Sequence, residues 1–154
     1  GGPPVSATCR GYPGSRGRGV PAPTRPPEWC AFRQARIRTL LGLFRDGDLD
    51  GARQGFAVFL RDYGDSDLSP NARYWLGETY YGKKDYQQAI DSYDRVEVDF
   101  PKSEKAPAAI LKKGYAYLAM KDRKRASLAF SQVVASYPRT PEAGKASDKL
   151  YHLR

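Results

Sequence analysis

The stretch 70–101 decides the fold of this chain, and it reads PNARYWLGETYYGKKDYQQAIDSYDRVEVDFP. It has a glycine at Gly77, an aromatic residue three positions later at Tyr80, and an Ala-x-x-x-aromatic pattern formed by Ala89 and Tyr93. A proline closes the stretch, and a proline lacks the N–H that would continue a helix. This order of small, aromatic and closing residues predicts two antiparallel helices joined by a tight turn.

The same pattern recurs on both sides of this stretch at a fixed offset of 37 residues. The downstream copy contains Gly114, Tyr117, Ala126, Phe130, Val133 and Pro138. The upstream copy contains Ala52, Phe56, Phe59 and Tyr63. The turn inside each copy recurs as Gly47-Asp48, Lys84-Asp85 and Lys121-Asp122. So many matches at one offset indicate three tetratricopeptide repeats, each of them a helix-turn-helix unit.

The predicted fold is all-α: a tetratricopeptide-repeat solenoid of three helix-turn-helix repeats plus a C-terminal capping helix, over residues 32–154. Gly77 and Gly114 have no side chain, so the paired helices can approach closely there. Ser69 is a candidate N-cap for a helix that starts at Pro70. The predicted helices are 28–45, 49–63, 70–82, 86–100, 104–120 (with 105 as the alternative start), 123–137 and 142–153.

Residues 1–31 are predicted to form a disordered tail or linker that is rich in Pro, Gly and Arg. Residues 1–27 alone contain seven Pro and six Gly, and such a segment cannot bury enough apolar surface to offset the entropy of ordering it. Both cysteines, Cys9 and Cys30, lie in this part of the chain. Their spacing does not indicate a metal site, and whether they pair with each other stays open.

The formal net charge is +9, and it is concentrated at the C-terminal end. Residues 100–154 carry twelve basic and four acidic side chains, whereas residues 33–99 carry ten basic and twelve acidic ones. A basic surface can meet nucleic acid, acidic lipid or an acidic protein. No nucleic-acid-binding motif accompanies the charge, and no apolar run approaches the roughly 20 residues of a membrane span. We therefore expect a solvated surface or an acidic protein partner, with no nucleic acid and no membrane insertion.

The sequence favours neither a calcium site nor an active site. Residues 46–51 read DGDLDG, like the start of a calcium loop, but Ala57 stands at the twelfth position, where such a loop needs a bidentate Glu. The segment coincides with the repeat turn, so we interpret it as a turn without metal. The chain has one histidine, His152, and no evident pairing of a nucleophile with a base, so we expect neither catalysis nor a cofactor.

An aromatic stripe on the first helix of the second repeat predicts the binding surface. Tyr74, Glu78 and Tyr81 lie at i, i+4 and i+7 on one helix face, and neither tyrosine is at a repeat-packing position. First helices line the concave side of such a solenoid, where partners commonly bind, and an Asn there can hold a peptide backbone. The alternative is that these side chains contact only the adjacent helix. The predicted partner-binding residues are Asn71, Tyr74, Glu78, Tyr81, Leu111, Lys112 and Tyr115.

Three segments resemble a known family: SPNARYWLGETYY at 69–81, DYQQAIDSYDRV at 85–96 and FPKSEKAPAAILKKGYAYL at 100–118. They are similar to the C-terminal repeat domain of the CpoB (YbgF) family of the Tol-Pal system, over about residues 36–153. The resemblance implies a non-catalytic, protein-binding scaffold in the periplasm of a Gram-negative envelope. It implies TolA and a septal peptidoglycan synthase as partners, and a role in coordinating outer-membrane constriction with septal peptidoglycan synthesis during cell division.

The chain departs from that family at several points. Family members carry a trimerising coiled coil before the repeats, whereas no heptads precede the repeats here, so self-association is left open. Lys113 stands where we expect an apolar residue, and Gly64 replaces the usual proline. The alternative is another envelope repeat protein, such as an outer-membrane assembly lipoprotein. That class would carry a lipid-modified cysteine directly after a signal peptide, a context that neither cysteine has.

Overall fold

The computed structural model describes Cys9 and residues 27–154, and in that part of the chain all regular structure is helical. The helices are α1 (Glu28–Arg45), α2 (Leu49–Tyr63), α3 (Ser69–Gly82), α4 (Tyr86–Asp99), α5 (Lys105–Ala119), α6 (Arg123–Ser136) and α7 (Pro141–His152). The predicted all-α class is confirmed, and each predicted boundary lies within one residue of the observed one. None of these helices is long and apolar enough to cross a membrane.

Two predicted details at the N-terminal side differ from the structure. Helix α3 begins at Ser69, one residue before the predicted start at Pro70, so Ser69 lies in the first turn and not at the N-cap. Helix α1 already includes residues 28–31, which therefore belong to the helical part of the chain. The predicted disorder of the preceding tail lies outside the described residues, apart from Cys9 and Pro27.

The chain divides into two compact units, Gly1–Ala72 and Arg73–Arg154. In the first unit α1 packs on α2, and the buried apolar side chains are Cys30, Ile37, Leu40, Ala52, Phe56, Phe59 and Ala72. In the second unit α4 packs on α5, α5 on α6 and α6 on α7, and α7 also contacts α5. Its largest buried side chains are Tyr93, Phe130, Ile90, Ile110, Val96 and Val133.

The close approach of paired helices that the glycines predict is confirmed. A Cβ atom at Gly77 would lie 2.5 Å from Cε1 of Tyr93, far inside van der Waals contact, and one at Gly114 would collide with Phe130 in the same way. In the first repeat the large and small residues exchange helices. It has Leu40 on the first helix at this register, and Gly55 on the second helix leaves the space that the leucine occupies. The pair of helices therefore needs one small residue at the contact, on either side.

The turns inside the three repeats share one backbone conformation and one type of N-cap. Its first residue has a positive φ, at Gly47 (87°), Lys84 (63°) and Lys121 (62°). The aspartate that follows is the N-cap of the next helix, and its carboxylate accepts a hydrogen bond from the backbone N–H three residues on: Asp48 from Gly51, Asp85 from Gln88 and Asp122 from Arg125. Residues 46–48 thus form the predicted repeat turn, and residues 49–51 are the first residues of α2. Within the described residues no group of three or more His, Cys, Asp or Glu could hold a metal ion.

The pairing of the two cysteines, which the sequence leaves open, is decided by the structure. Cys9 and Cys30 form a disulfide across 21 positions of sequence, with their Cα atoms 5.5 Å apart. The backbone N–H of Cys9 donates a 2.9 Å hydrogen bond to Oδ1 of Asp67, and Cys30 is completely buried at the start of α1. The guanidinium of Arg33, one turn further on, lies 4.3 Å from the ring of Tyr63. These contacts fix the start of α1 within the first unit.

Candidate protein-binding site

Five of the seven predicted binding residues line one cleft in the second unit. Side chains of α3, α5 and α7 enclose about 290 Å³ there, and we call this space the α3–α5–α7 cleft. The lining residues are Tyr74, Glu78, Ala108, Leu111, Lys112, Tyr115, Glu142 and Lys145. The structure thus brings together side chains that lie far apart in sequence, and the cleft combines aromatic rings with carboxylates and ammonium groups.

Glu78 is held in place on the wall of the cleft. Its Oε1 accepts a 2.5 Å hydrogen bond from the hydroxyl of Tyr93, and Nζ of Lys112 lies 3.7 Å from the same oxygen. The Glu78 side chain is only 15% exposed, so it presents one fixed carboxylate edge rather than a mobile charge. Burial raises the pKa of the Tyr93 phenol, and the negative charge and hydrogen bond of Glu78 raise it further. Tyr93 therefore stays protonated and remains a donor at neutral pH.

Tyr74 has two roles, of which the sequence indicates only one. Its ring packs against the core cluster of the second repeat and lies 6.1 Å from the ring of Tyr93, so Tyr74 is also a packing residue. The prediction that Tyr74 is not at a repeat-packing position is wrong, and so is the same prediction for Tyr81, which packs against that cluster too. Burial raises the pKa of Tyr74, with smaller contributions from the charges of Glu78 and Glu142, so its hydroxyl remains protonated and can donate.

Lysines lie over tyrosine rings in and beside the cleft. Nζ of Lys112 is 4.2 Å from the ring centre of Tyr81 and 5.6 Å from that of Tyr115, and Nζ of Lys149 is 5.5 Å from the Tyr115 ring. Each such contact contributes about 0.5–1 kcal/mol at an exposed site. Tyr81 does not line the cleft itself, but through Lys112 it fixes one of the charges that do. The ammonium groups of Lys112 and Lys149 thus lie against tyrosine rings in the free chain.

Three lining residues were not predicted from the sequence: Ala108 on α5, and Glu142 and Lys145 on α7. Glu142 and Lys145 come from the first turns of α7, which the sequence indicates only as a capping helix. They reach the cleft because α7 packs against α5 as well as α6 and buries Ala143 and Ala146 in doing so. The sequence signal that could have indicated Glu142 and Lys145 is their position next to Ala143 and Ala146, which lie on the buried face of α7.

Leu111 lines the cleft, whereas Asn71 and Tyr81, the other two predicted residues, do not. Leu111 is 5% exposed and belongs to the core of the third repeat, so it forms the floor of the cleft and offers little contact area. Asn71 lies on the part of α3 that belongs to the first unit. Its Oδ1 is buried and has no hydrogen-bond partner within the described residues. The structure does not place Asn71 among the cleft residues.

Lys113, where the sequence leads us to expect an apolar residue, is accommodated by hydrogen bonds. Its Nζ donates to Oδ1 of Asp94 at 2.9 Å and to Oε2 of Glu97 at 2.7 Å, and Gln132 donates to the other oxygen of Glu97. Burial by itself lowers the pKa of Lys113, but the hydrogen bonds with Glu97 and Asp94 outweigh it, so the pKa is raised overall. Lys113 is therefore a charged link between α4 and α5.

The helices, turns and cleft define a tetratricopeptide-repeat protein, and comparison with solved structures agrees. The TPR domain of Arabidopsis OM64 superposes with a TM-score of 0.64 at 14% identity, over 78% of this chain and 94% of that one. The N-terminal domain of stress-induced protein-1 (STI-1) from C. elegans gives 0.65 at 15% identity, over 80% and 94%. The predicted tetratricopeptide-repeat solenoid is thereby confirmed, and at such identities the likeness shows the fold alone.

Residues 66–147, more than half of the chain, match the model of the YfiO family, described as outer membrane lipoprotein, and the chain belongs to that family. The chain is also 37% identical over 67 residues to the cell division coordinator CpoB of Pseudomonas putida, a match that covers 44% of this chain. The predicted resemblance is confirmed, and the repeat domain is CpoB-like. The match spans 25% of the length of those curated relatives.

Proposed function

We propose that this chain is the non-catalytic, protein-binding repeat domain of a cell-envelope scaffold that coordinates cell division, and that the α3–α5–α7 cleft holds a segment of its partner. The observation that carries the proposal is the cleft itself, in which Tyr74, Lys112 and Tyr115 are fixed side by side in a CpoB-like domain. The proposed partners are TolA and a septal peptidoglycan synthase. The name of the relatives, cell division coordinator, supports the division role.

The chemistry of the cleft suits a polypeptide. Tyrosine rings supply a large contact area at a low cost in side-chain entropy, which is why they are enriched at binding hot spots. The carboxylate of Glu78 and the ammonium of Lys112, 3.7 Å apart, offer an acceptor and a donor side by side. A volume of about 290 Å³ admits the side chains of a short helix or extended segment, not a folded domain.

The proposed location is the periplasm. The disulfide between Cys9 and Cys30 supports it, because such bonds form and persist in oxidising compartments and are rare in a reducing cytosol.

The experiment is a titration of the purified chain with TolA, followed by calorimetry, with variants that change the cleft. Lys112→Ala and Tyr115→Ala each remove a cleft contact and should weaken binding by about tenfold or more. Tyr151→Ala is the matched control, because Tyr151 is 70% exposed on α7 and does not line the cleft. Unchanged affinity in both cleft variants, with helical content preserved, would exclude the cleft as the TolA site.

A second candidate function is favoured by the family match, whose description is outer membrane lipoprotein. In that case the chain would be a repeat scaffold in outer-membrane assembly. Deleting the gene separates the two candidates. A division scaffold predicts defects in septation with normal levels of outer-membrane proteins, whereas an assembly scaffold predicts depleted outer-membrane proteins first.

A further inference from the structure

The turn of the third repeat differs from the other two turns in charge. The equivalent five residues are GDLDG at 47–51, KDYQQ at 84–88 and KDRKR at 121–125, with formal charges of −2, 0 and +3. The fold accounts for the first two positions, since these supply the positive φ and the N-cap carboxylate. The other repeats show that the turn forms without bases at the last three positions. The three bases at 123–125 therefore need another explanation.

The protein itself uses only part of this charge. Arg123 donates a 3.2 Å hydrogen bond to the backbone carbonyl of Leu153, near the C-terminal end of α7. Nε of Arg125 lies 3.5 Å from Oδ2 of Asp122, but the Arg125 side chain is 67% exposed. Lys121 and Lys124 are exposed and make no ion pair within the described residues. A single aspartate thus faces four bases, and most of the positive charge of the turn is open to a partner.

An apolar hollow lies directly beside these bases. Its volume is about 130 Å³, and it is lined by Lys113, Tyr117, Arg125, Leu128, Ala129 and Gln132. Leu128 is 64% exposed, which is unusual for so large an apolar side chain. The second repeat has the exposed Asp91 at the equivalent position. Lys124, Arg125 and Leu128 therefore occur together in the third repeat, where the second repeat has Gln87, Gln88 and Asp91.

The charged side chains are distributed unevenly around the hollow. At one end lie the bases of the turn, whereas at the other end the charge of Lys113 is neutralised by Asp94 and Glu97. A ligand that places an apolar group in the hollow would thus find its favourable site for negative charge on the side of the turn.

We propose that this surface, defined by Tyr117, Lys121, Lys124, Arg125 and Leu128 and called the α5–α6 turn face, is a second docking surface that takes an acidic amphipathic segment of a partner protein. An apolar side chain of that segment enters the hollow, and its carboxylates lie over the turn. The occupant is a protein segment, because a hollow of about 130 Å³ fits a single side chain and would be left empty by a flat lipid surface. The surface shares no lining residue with the α3–α5–α7 cleft.

The test uses two synthetic helical peptides, one with glutamates one turn away from a tryptophan, the other with lysines in place of the glutamates. We expect the acidic peptide to bind the chain in fluorescence anisotropy, with an affinity that falls as salt is added. Lys124→Gln/Arg125→Gln and Leu128→Asp install residue types that the second repeat carries at these positions, so both variants should fold. Each variant should bind the acidic peptide about fivefold or more weakly than the wild type does.

Two controls make the result specific. Lys102→Gln/Arg139→Gln removes the same charge from exposed positions outside the turn face, and Lys112→Gln changes the cleft; both should bind the acidic peptide within about twofold of the wild type. The proposal is overturned if the lysine peptide binds equally well, if neither peptide binds, or if the turn-face variants bind like the wild type. It is also overturned if the chain binds phosphatidylglycerol vesicles and not the acidic peptide, because the ligand would then be a membrane.

Discussion

The hydroxyl of Tyr93 on α4 donates a 2.5 Å hydrogen bond to Oε1 of Glu78 on α3, and this bond links the core of the second repeat to the wall of the cleft. Tyr93 is completely buried, whereas Glu78 lines the α3–α5–α7 cleft. The same residue that fills the space left by Gly77 therefore also orients a binding-site carboxylate. Core packing and the binding site are coupled through this hydrogen bond, so a substitution that moves Tyr93 should also change the orientation of the Glu78 carboxylate.

The first prediction concerns alkaline pH. Burial and Glu78 raise the pKa of Tyr93 in the folded protein, so above the ordinary pKa of about 10 the unfolded chain loses a proton that the folded chain keeps. Stability should therefore be constant below pH 10 and fall above it, by up to about 1.4 kcal/mol per pH unit for this tyrosine. Urea denaturation from pH 8 to 11 measures it, and Tyr93→Phe should make the fall shallower. An equally steep fall in the variant would contradict the assignment.

The second prediction separates recognition from packing at Tyr74 and Tyr81. The double change Tyr74→Ala/Tyr81→Ala should weaken binding to TolA by roughly 2 kcal/mol, but it also lowers stability, because both rings pack against the core. Tyr74→Phe keeps the ring and removes only the hydroxyl. If that hydroxyl bonds to the partner, Tyr74→Phe should weaken binding by about 1 kcal/mol with an unchanged melting temperature. Normal binding by folded forms of both variants would argue against the cleft.

The third prediction uses a matched pair of glycines. Gly114→Ala places a methyl group against the ring of Phe130, and the overpacking should cost roughly 1–3 kcal/mol. Gly144→Ala meets no atom within 4 Å on the exposed side of α7, and alanine favours a helix over glycine by up to about 1 kcal/mol. Denaturation midpoints should move in opposite directions. Equal shifts for the two changes would mean that the close helix approach at Gly114 does not limit the fold.

The fourth prediction concerns the positive φ of the repeat turns. Lys84, at φ 63°, is in the left-handed region, where glycine has no steric cost, so Lys84→Gly should raise the stability by up to about 1 kcal/mol. Gly47→Ala forces an alanine to φ 87° and should lower the stability by about 1 kcal/mol or more. Thermal unfolding measures both. A loss of stability in Lys84→Gly would show that the lysine side chain contributes more than the backbone strain costs.

The fifth prediction concerns the disulfide. Cys9 and Cys30 close a loop of about 20 residues, and a bond of this span restricts the unfolded chain by about 3 kcal/mol. Cys9→Ser/Cys30→Ser should therefore melt at a lower temperature than the wild type. A reducing agent should lower the melting temperature of the wild type and leave that of the double variant unchanged. The same melting temperature for all four samples would show that the bond does not stabilise the fold.

The sequence by itself determined the repeats and their internal contacts. Contacts within one helix pair decide the offset of 37 residues, the helix boundaries, and the need for Gly77 and Gly114. Such contacts impose a regular spacing of residue types, which is visible in the sequence. The turns are equally local, since a backbone angle and an N-cap three residues apart decide them. The stripe of Tyr74 and Glu78 belongs here too, because one helix face follows from the period of the helix alone.

Only the tertiary structure decided which side chains meet across elements. The exchange of small and large residues between Leu40 and Gly55 breaks the repeat pattern, and it is compensated only by the contact itself. Glu142 and Lys145 enter the cleft because α7 packs on α5, and the salt links of Lys113 come from a neighbouring repeat. The pairing of Cys9 with Cys30 joins residues 21 positions apart that no repeat pattern relates. The physical reason is the same in each case: contacts between elements depend on how helices dock, and docking leaves no fixed interval in the sequence.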